Sequence, residues 1–246
     1  MDDRAMPLTE HLQELRSRLL RSLVAVAVAA TAAYYFIDPL LALLLEPLQA
    51  VGGDEVKIIG TGVAEAFFTK IKVAVIAGIF IASPILFFQI WRFVAPGLYE
   101  HERRYVLPFV GFATFFFLAG AAFCYELVFP TAFAFFVEQY RSSGIAPLIR
   151  VSEYLSFASR MLLAFGATFE LPVFTFFFAR IGLVTHQQMI SYWRYALVGV
   201  FIVAAVLTPG PDIASQLLMA APLLVLYVAS IGVAKAFGRP RPVENP

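Results

Sequence analysis

At 246 residues, 61% hydrophobic and only 14% charged, with a mean hydropathy of +0.81, the chain is excluded from the ordinary soluble domains. Apolar runs long enough to cross a bilayer recur along it, so it reads as an all-α polytopic membrane protein. The net charge of +1 gives no overall basic field for nucleic acid.

The first element is "LTEHLQELRSRLLRS". Leu8, Leu12, Leu15 and Leu19 are spaced 4, 3, 4, which places them on one helical stripe. Thr9 is placed to cap this helix. Glu10, Glu14, Arg18 and Arg21 share another face. The plain reading of residues 1–19 is an amphipathic lead-in helix whose Glu14 pairs with Arg18, worth about 0.2–0.5 kcal/mol.

Six spans are expected, at 20–37, 71–93, 106–128, 157–180, 195–208 and 214–234, with a tail at 235–246, all as one membrane domain. The first has the basic flank and small residues of a secretory signal. Acids precede the flank, however, and a helical pattern precedes the apolar run, so a transmembrane helix is the better reading. The fifth span, at about 14 residues, is short for a bilayer. Pro84, Pro172 and Pro222 fall inside spans and are expected to bend them.

Orientation follows from the basic residues. Of 18 Lys and Arg, twelve fall on the side of the two termini and six on the other, so both termini are expected in the cytoplasm. The outer loops, 38–70 and 129–156, are the long ones. "TAFAFFVEQY" in the second reads as a short interfacial helix.

The inner loop "FVAPGLYEHERRYVLP" turns at Pro96-Gly97. Its Arg103 and Arg104 satisfy the charge rule, but Glu100 and Glu102 do not follow from it. A carboxylate at the inner surface can receive a guanidinium bidentately. A solvated loop and a guanidinium receptor both remain open here.

Cys124 is the lone cysteine and lies in an apolar run, which fits a buried, inert thiol. Glu170 stands in "FGATFELPVF". Counted back from Arg180, it lies about 15 Å into the membrane. A charge there costs roughly 2.5–3.5 kcal/mol on insertion scales. Pro172 also leaves the Thr168 carbonyl without its helical donor. The readings are a structural Glu hydrogen-bonded to a neighbouring helix and a functional intramembrane carboxylate. "LTPGPDIASQ" supplies Thr208, Asp212 and Gln216 in a polar hairpin between two short spans. As plain structure, Asp212 caps the last helix and Gln216 bonds across to another helix.

The enzyme signatures are missing. There is no phosphate-binding Gly loop ending in Lys-Ser/Thr, no G-x-S-x-G and no H-E-x-x-H. His11, His101 and His186 are scattered without metal-ligand spacing. The expectation is no enzyme, no cofactor and no metal.

Taken in order, "HLQELRSRLL", "EPLQ", "FFQIWRFVAPGLYEHERR", "SFASRMLLAFGATFELPV" and "LTPGPDIASQ" resemble the TatC family, the signal-peptide-receptor core of the twin-arginine protein translocase. The resemblance covers residues 8 to 235. It implies a glove-shaped, concave six-helix bundle in the bacterial plasma (inner) membrane, working on the proton-motive force. It implies partners: the twin-arginine signal peptides of folded cargo, the single-span subunits TatA and TatB, further copies of itself, and membrane lipids. Residue by residue, it implies that Glu14 and Glu102 bind the arginine pair, with Arg16 and Phe93 in the same region. Pro47 and Tyr125 match family positions on the outer side. Glu170 matches the intramembrane glutamate of the concave face, and Asp212 the acid of the outer hairpin. Thr208 and Gln216 match the site where the single-span partners dock. The turn "TPGPD" is one residue longer than the commoner "TPPD", and Glu126 has no family role. The rival class is a proton-coupled small-solute transporter using Glu170. A single intramembrane carboxylate and no internal repeat disfavour it.

Overall fold

The computed structural model describes residues 8–94, 106–208 and 213–238. Glu102, Asp212, the Pro96-Gly97 turn and the Arg103–Arg104 pair lie outside them. Helices dominate: α1 (Leu8–Tyr35), α2 (Ile37–Gly52), α3 (Glu65–Val94), α4 (Val106–Phe123), α5 (Phe129–Ser142), α6 (Val151–Arg180), α7 (His186–Ser191), α8 (Trp193–Leu207) and α9 (Ile213–Phe237). Two three-residue strands, β1 (Lys57–Ile59) and β2 (Leu148–Arg150), pair in parallel with Lys57 opposite Leu148.

Among the described residues, five stretches are long and apolar enough to cross a membrane: His11–Tyr35, Glu65–Phe93, Leu107–Ser142, Val151–Arg180 and Ile213–Phe237. Trp193–Leu207 is a shorter apolar helix. Its 15 residues reach about 22 Å at 1.5 Å per residue, less than the roughly 30 Å hydrocarbon core. The molecule is an all-helical multi-pass membrane protein.

The chain divides into two compact units. The first holds residues to Leu41 together with Phe67–Phe115, and so contains α1, most of α3 and the start of α4. Here α1 and α3 cross closely, because Gly78 has no side chain. A Cβ at Gly78 would lie 2.6 Å from the Ala30 nitrogen. Small residues at such a crossing are the usual device for helix packing in lipid. Pro84 lacks the N–H that would bond the Phe80 carbonyl. The neighbouring Ser83 hydroxyl donates to that oxygen instead, at 2.7 Å. Trp91 packs on Phe109 with ring centroids 4.4 Å apart.

The orientation of α1 is a correction to the leucine-stripe reading. The helix is continuous from Leu8 to Tyr35, with no break at residue 19. Leu12, Leu15 and Leu19 are exposed. The partly buried row is His11, Glu14 and Arg18: His11 and Arg18 find partners on α3, and Glu14 pairs with Arg18.

The second unit holds Ala42–Ala66 and the chain from Phe116. Its core is α6, where Leu155, Met161 and Phe165 are fully enclosed. α4 and α6 meet through two glycines. A Cβ at Gly120 would come 2.6 Å from the Phe165 carbonyl oxygen, and one at Gly166 2.8 Å from the Phe117 ring. A π-helical turn, Cys124–Val128, joins α4 to α5, so the two run on as one apolar stretch. Cys124 is buried inside it. α5 contains the "TAFAFFVEQY" segment, helical as the sequence suggests.

Candidate functional site

The sequence-derived residues fall into three clusters, each within one unit. The first sits where the start of α1 meets the end of α3. Arg18 donates through Nη2 to Glu14 Oε1 at 2.6 Å and through Nε to the same oxygen at 3.1 Å. Its Nη1 donates to Gln89 Oε1 at 3.2 Å. One turn further along both helices, the His11 and Phe93 rings stack with centroids 4.4 Å apart. The row 11–14–18 on α1 therefore faces the row 89–93 on α3, as helical i, i+3/i+4 spacing allows. The side chains of Arg18 and Glu14 are 13% and 22% exposed, so this ion pair is not a loose surface contact. Glu14 Oε2 has no partner among the described residues. Arg16 points away and is exposed. Gln89 and His11 were not picked out from sequence as site residues. The signal was their spacing: Gln89 lies four residues before Phe93, and His11 three before Glu14.

The second cluster joins Pro47 to Tyr125. Pro47 lies inside α2 and cannot donate to the carbonyl of Leu43, four residues earlier. The Tyr125 hydroxyl donates to that carbonyl at 2.9 Å and lies 3.1 Å from Glu46 Oε2. Next to it, the Tyr154 hydroxyl donates to the Leu44 carbonyl at 2.6 Å. Two tyrosines thus hold the proline turn of α2. The π turn carries Tyr125, and its extra residue re-aims the side chains of the helix. Glu126, in the same turn, is exposed.

The third cluster lies along α6, α8 and α9. Glu170 is only 3% exposed. Neither carboxyl oxygen has a hydrogen-bond partner among the described residues. The carboxyl is enclosed because Gly166, Glu170 and Val173 lie on a packed side of α6. Gln216 on α9 donates through Nε2 to the Phe201 carbonyl of α8 at 3.0 Å. The Thr208 hydroxyl donates to the Ala204 carbonyl at 3.1 Å and closes α8. A shallow apolar groove of about 350 Å³ opens beside Gln216, lined by Leu197, Val198, Phe201, Ile202 and Ala205.

Among the described residues, no three His, Cys, Asp or Glu side chains converge to hold a metal ion. What the geometry offers is recognition: one half-engaged carboxylate beside stacked rings, one enclosed carboxyl, and a helix hairpin with a polar handle.

Comparison with known proteins places the chain. Residues 10–222 match the family model described as Sec-independent protein translocase protein (TatC). The TatC protein of Desulforapulum autotrophicum is 46% identical over 97% of this chain and 87% of its own length. That of Carboxydothermus hydrogenoformans is 43% identical over 96% and 95%. A crystal structure of the twin-arginine translocase receptor TatC superimposes with a TM-score of 0.84 and 35% identity, covering 93% of this chain and all of that one. The fold and the motifs agree with these matches: the chain belongs to the TatC family of Sec-independent protein translocase proteins.

Proposed function

We propose that this chain is the receptor and assembly core of a twin-arginine translocase. It binds the paired arginines of signal peptides on folded precursors at its cytoplasmic face. It then gathers the single-span subunits TatA and TatB for export across the bacterial inner membrane, driven by the proton-motive force. Members of this family are translocase components, not enzymes.

The observation that carries the reading is Glu14. In a chain of this family, a partly buried carboxylate keeps Oε2 without a partner among the described residues, on the helix row beside the His11–Phe93 stack. A guanidinium suits such a site, being planar, weakly hydrated and able to stack on aromatic faces. Glu102, on the inner loop, is the second acid of the pair in this proposal. Arg16 is exposed and belongs to the rim. The termini and the loop carrying Glu102 lie on the cytoplasmic side by the excess of basic residues. Partner docking is assigned to Thr208, Gln216 and the groove beside them, with Glu170 as a later contact for an inserted helix. Asp212 completes the outer hairpin.

The test is signal-peptide binding to the purified full-length protein in lipid nanodiscs. Glu14→Gln and Glu102→Gln are each expected to weaken a twin-arginine peptide by about tenfold or more, the usual scale for losing a charge-assisted pair. Unchanged binding in both variants overturns the assignment. The transporter reading makes a separate demand: proton-coupled uptake of a small solute by vesicles containing this chain alone.

A further inference from the structure

We infer that Arg18 is a specificity-determining residue of the receptor site: it occupies Oε1 of Glu14 as an internal counter-cation, so that plain positive charge is not enough to bind there. The inference rests on the receptor reading of Glu14.

Three observations carry it. Arg18 spends two donors, Nε and Nη2, on a single oxygen of Glu14. A carboxylate oxygen offers two lone-pair sites, so Oε1 is filled while Oε2 is left for an incoming group. Second, Arg18 is anchored from behind. Its Nη1 donates to Gln89 of α3, and its side chain is more enclosed than that of Glu14, at 13% against 22% exposed. It is therefore a built-in part of the site rather than a side chain on the rim. Third, the next rung of the same two helices is the His11–Phe93 stack, a planar aromatic surface.

The consequence is electrostatic. With Arg18 in place, the Glu14–Arg18 pair has no net charge, and a cation arriving in this partly enclosed site gains little long-range attraction. What remains favourable is local: hydrogen bonds to Oε2 and contact with flat rings. A guanidinium gives up its weak hydration readily and stacks, whereas an ammonium is a compact, strongly hydrated charge. Neutralising the carboxylate in this way turns a general cation site into one that favours arginine over lysine. Without Arg18, Glu14 presents both oxygens and a full negative charge, and every cation is drawn to it.

The experiment compares peptides carrying Arg-Arg and Lys-Lys at the motif, bound to the full-length protein in nanodiscs at two ionic strengths. For Arg18→Gln, both peptides are expected to bind more tightly and the Lys-Lys peptide to gain more. The Arg-Arg preference then shrinks by about tenfold and the salt dependence steepens, as added net charge at a partly screened site requires. Arg18→Lys keeps the counter-charge and should hold the preference near that of the parent protein, which separates the charge from mere packing. Weaker Arg-Arg binding in Arg18→Gln, or an unchanged preference, overturns the inference. Glu14→Gln, measured alongside, reports on the receptor reading itself: if it binds the Arg-Arg peptide like the parent, that reading has failed, whatever Arg18 does.

Discussion

The Tyr125 hydroxyl donates to the carbonyl of Leu43 at 2.9 Å, the one backbone acceptor that Pro47 strips of its helical partner. Proline breaks a helix chiefly by removing a donor and crowding the preceding turn. A side chain 82 residues away in sequence supplies the missing proton. Tyr125→Phe should therefore destabilise the purified protein by about 0.5–1.5 kcal/mol, the usual net worth of one hydrogen bond. Pro47→Ala restores the helical N–H, so in that background Tyr125→Phe should cost much less. A double-mutant cycle by thermal unfolding in detergent checks this. Additive effects would mean that the two residues are not coupled through Leu43.

The glycines sort by what surrounds them. A Cβ at Gly78 meets the Ala30 backbone at 2.6 Å, and one at Gly120 meets the Phe165 carbonyl oxygen at 2.6 Å, whereas Gly199 and Gly232 have nothing within 4 Å. Backbone cannot move aside as a side-chain tip can. Gly78→Ala and Gly120→Ala should each lose about 1–3 kcal/mol, the ordinary cost of overpacking. Gly199→Ala and Gly232→Ala should be neutral or slightly stabilising, since alanine is the better helix former by about 1 kcal/mol. Folded yield and thermal unfolding midpoints of the four variants decide the ranking.

These contacts mark what could be read in the sequence. The membrane class follows from apolar run lengths, and the Glu14–Arg18 pair from its i, i+4 spacing. Glu170 is conspicuous as a lone acid in an apolar run. The leucine stripe was legible as a stripe, but spacing alone does not say which face packs. The leucines stay exposed, and the polar row takes the protein side where Gln89 and Phe93 meet it. Links such as Arg18–Gln89 or Tyr125–Leu43 join residues 71 and 82 positions apart, and no local pattern encodes them. The strands "KII" and "LIR" are three residues each, too short to show a period of two. Enclosure of Glu170 depends on the neighbours of α6, which periodicity does not name.

Gln216 ties α9 to α8 by one hydrogen bond to the Phe201 carbonyl. That carbonyl lies inside α8, so the bond adds to the hairpin without completing it. Gln216→Leu should cost only about 0.5–1.5 kcal/mol, the usual net worth of such a bond. If the groove beside it docks a partner helix, crosslinking to the single-span subunits should fall far more than stability does. Equal losses of folding and of crosslinking would make Gln216 a structural residue only.

Glu170 separates stability from function in the opposite sense. A carboxyl group enclosed with no hydrogen-bond partner among the described residues is a cost to the isolated subunit. Replacing an unsatisfied buried polar group by an apolar one of similar shape is neutral or favourable. Glu170→Leu should thus raise the thermal stability of the purified chain, by about 1–3 kcal/mol, while export of a twin-arginine cargo in cells falls. A destabilised Glu170→Leu protein would mean that the carboxyl has a structural partner. Stable protein with full export would remove Glu170 from the function.

Among the described residues of the second unit, Glu65 is the most heavily bonded carboxylate. Its Oε2 accepts the backbone N–H of Thr61 at 2.6 Å and of Gly62 at 2.9 Å, and the Thr61 hydroxyl at 3.1 Å. Its Oε1 accepts the backbone N–H of Ser152 at 3.2 Å and also the Ser152 hydroxyl. Glu65 opens α3, and Ser152 lies in the first turn of α6, where backbone donors lack helical acceptors. One side chain therefore satisfies the turn before α3 and the start of α6 together, next to the β1–β2 pair. Arg150 braces the same corner by donating to the Thr61 hydroxyl at 2.6 Å. Glu65→Ala removes all five acceptor contacts and should destabilise this corner by about 2 kcal/mol or more, twice the typical loss of a helix cap. Glu65→Gln keeps one carbonyl oxygen but puts an NH₂ group where an acceptor is needed, so it should recover only part of that loss. Hydrogen exchange at residues 57–65 and 148–153 is the direct measurement. Faster exchange confined to these two segments is expected, and protection unchanged in Glu65→Ala would show that the strands and helix starts hold without the clamp.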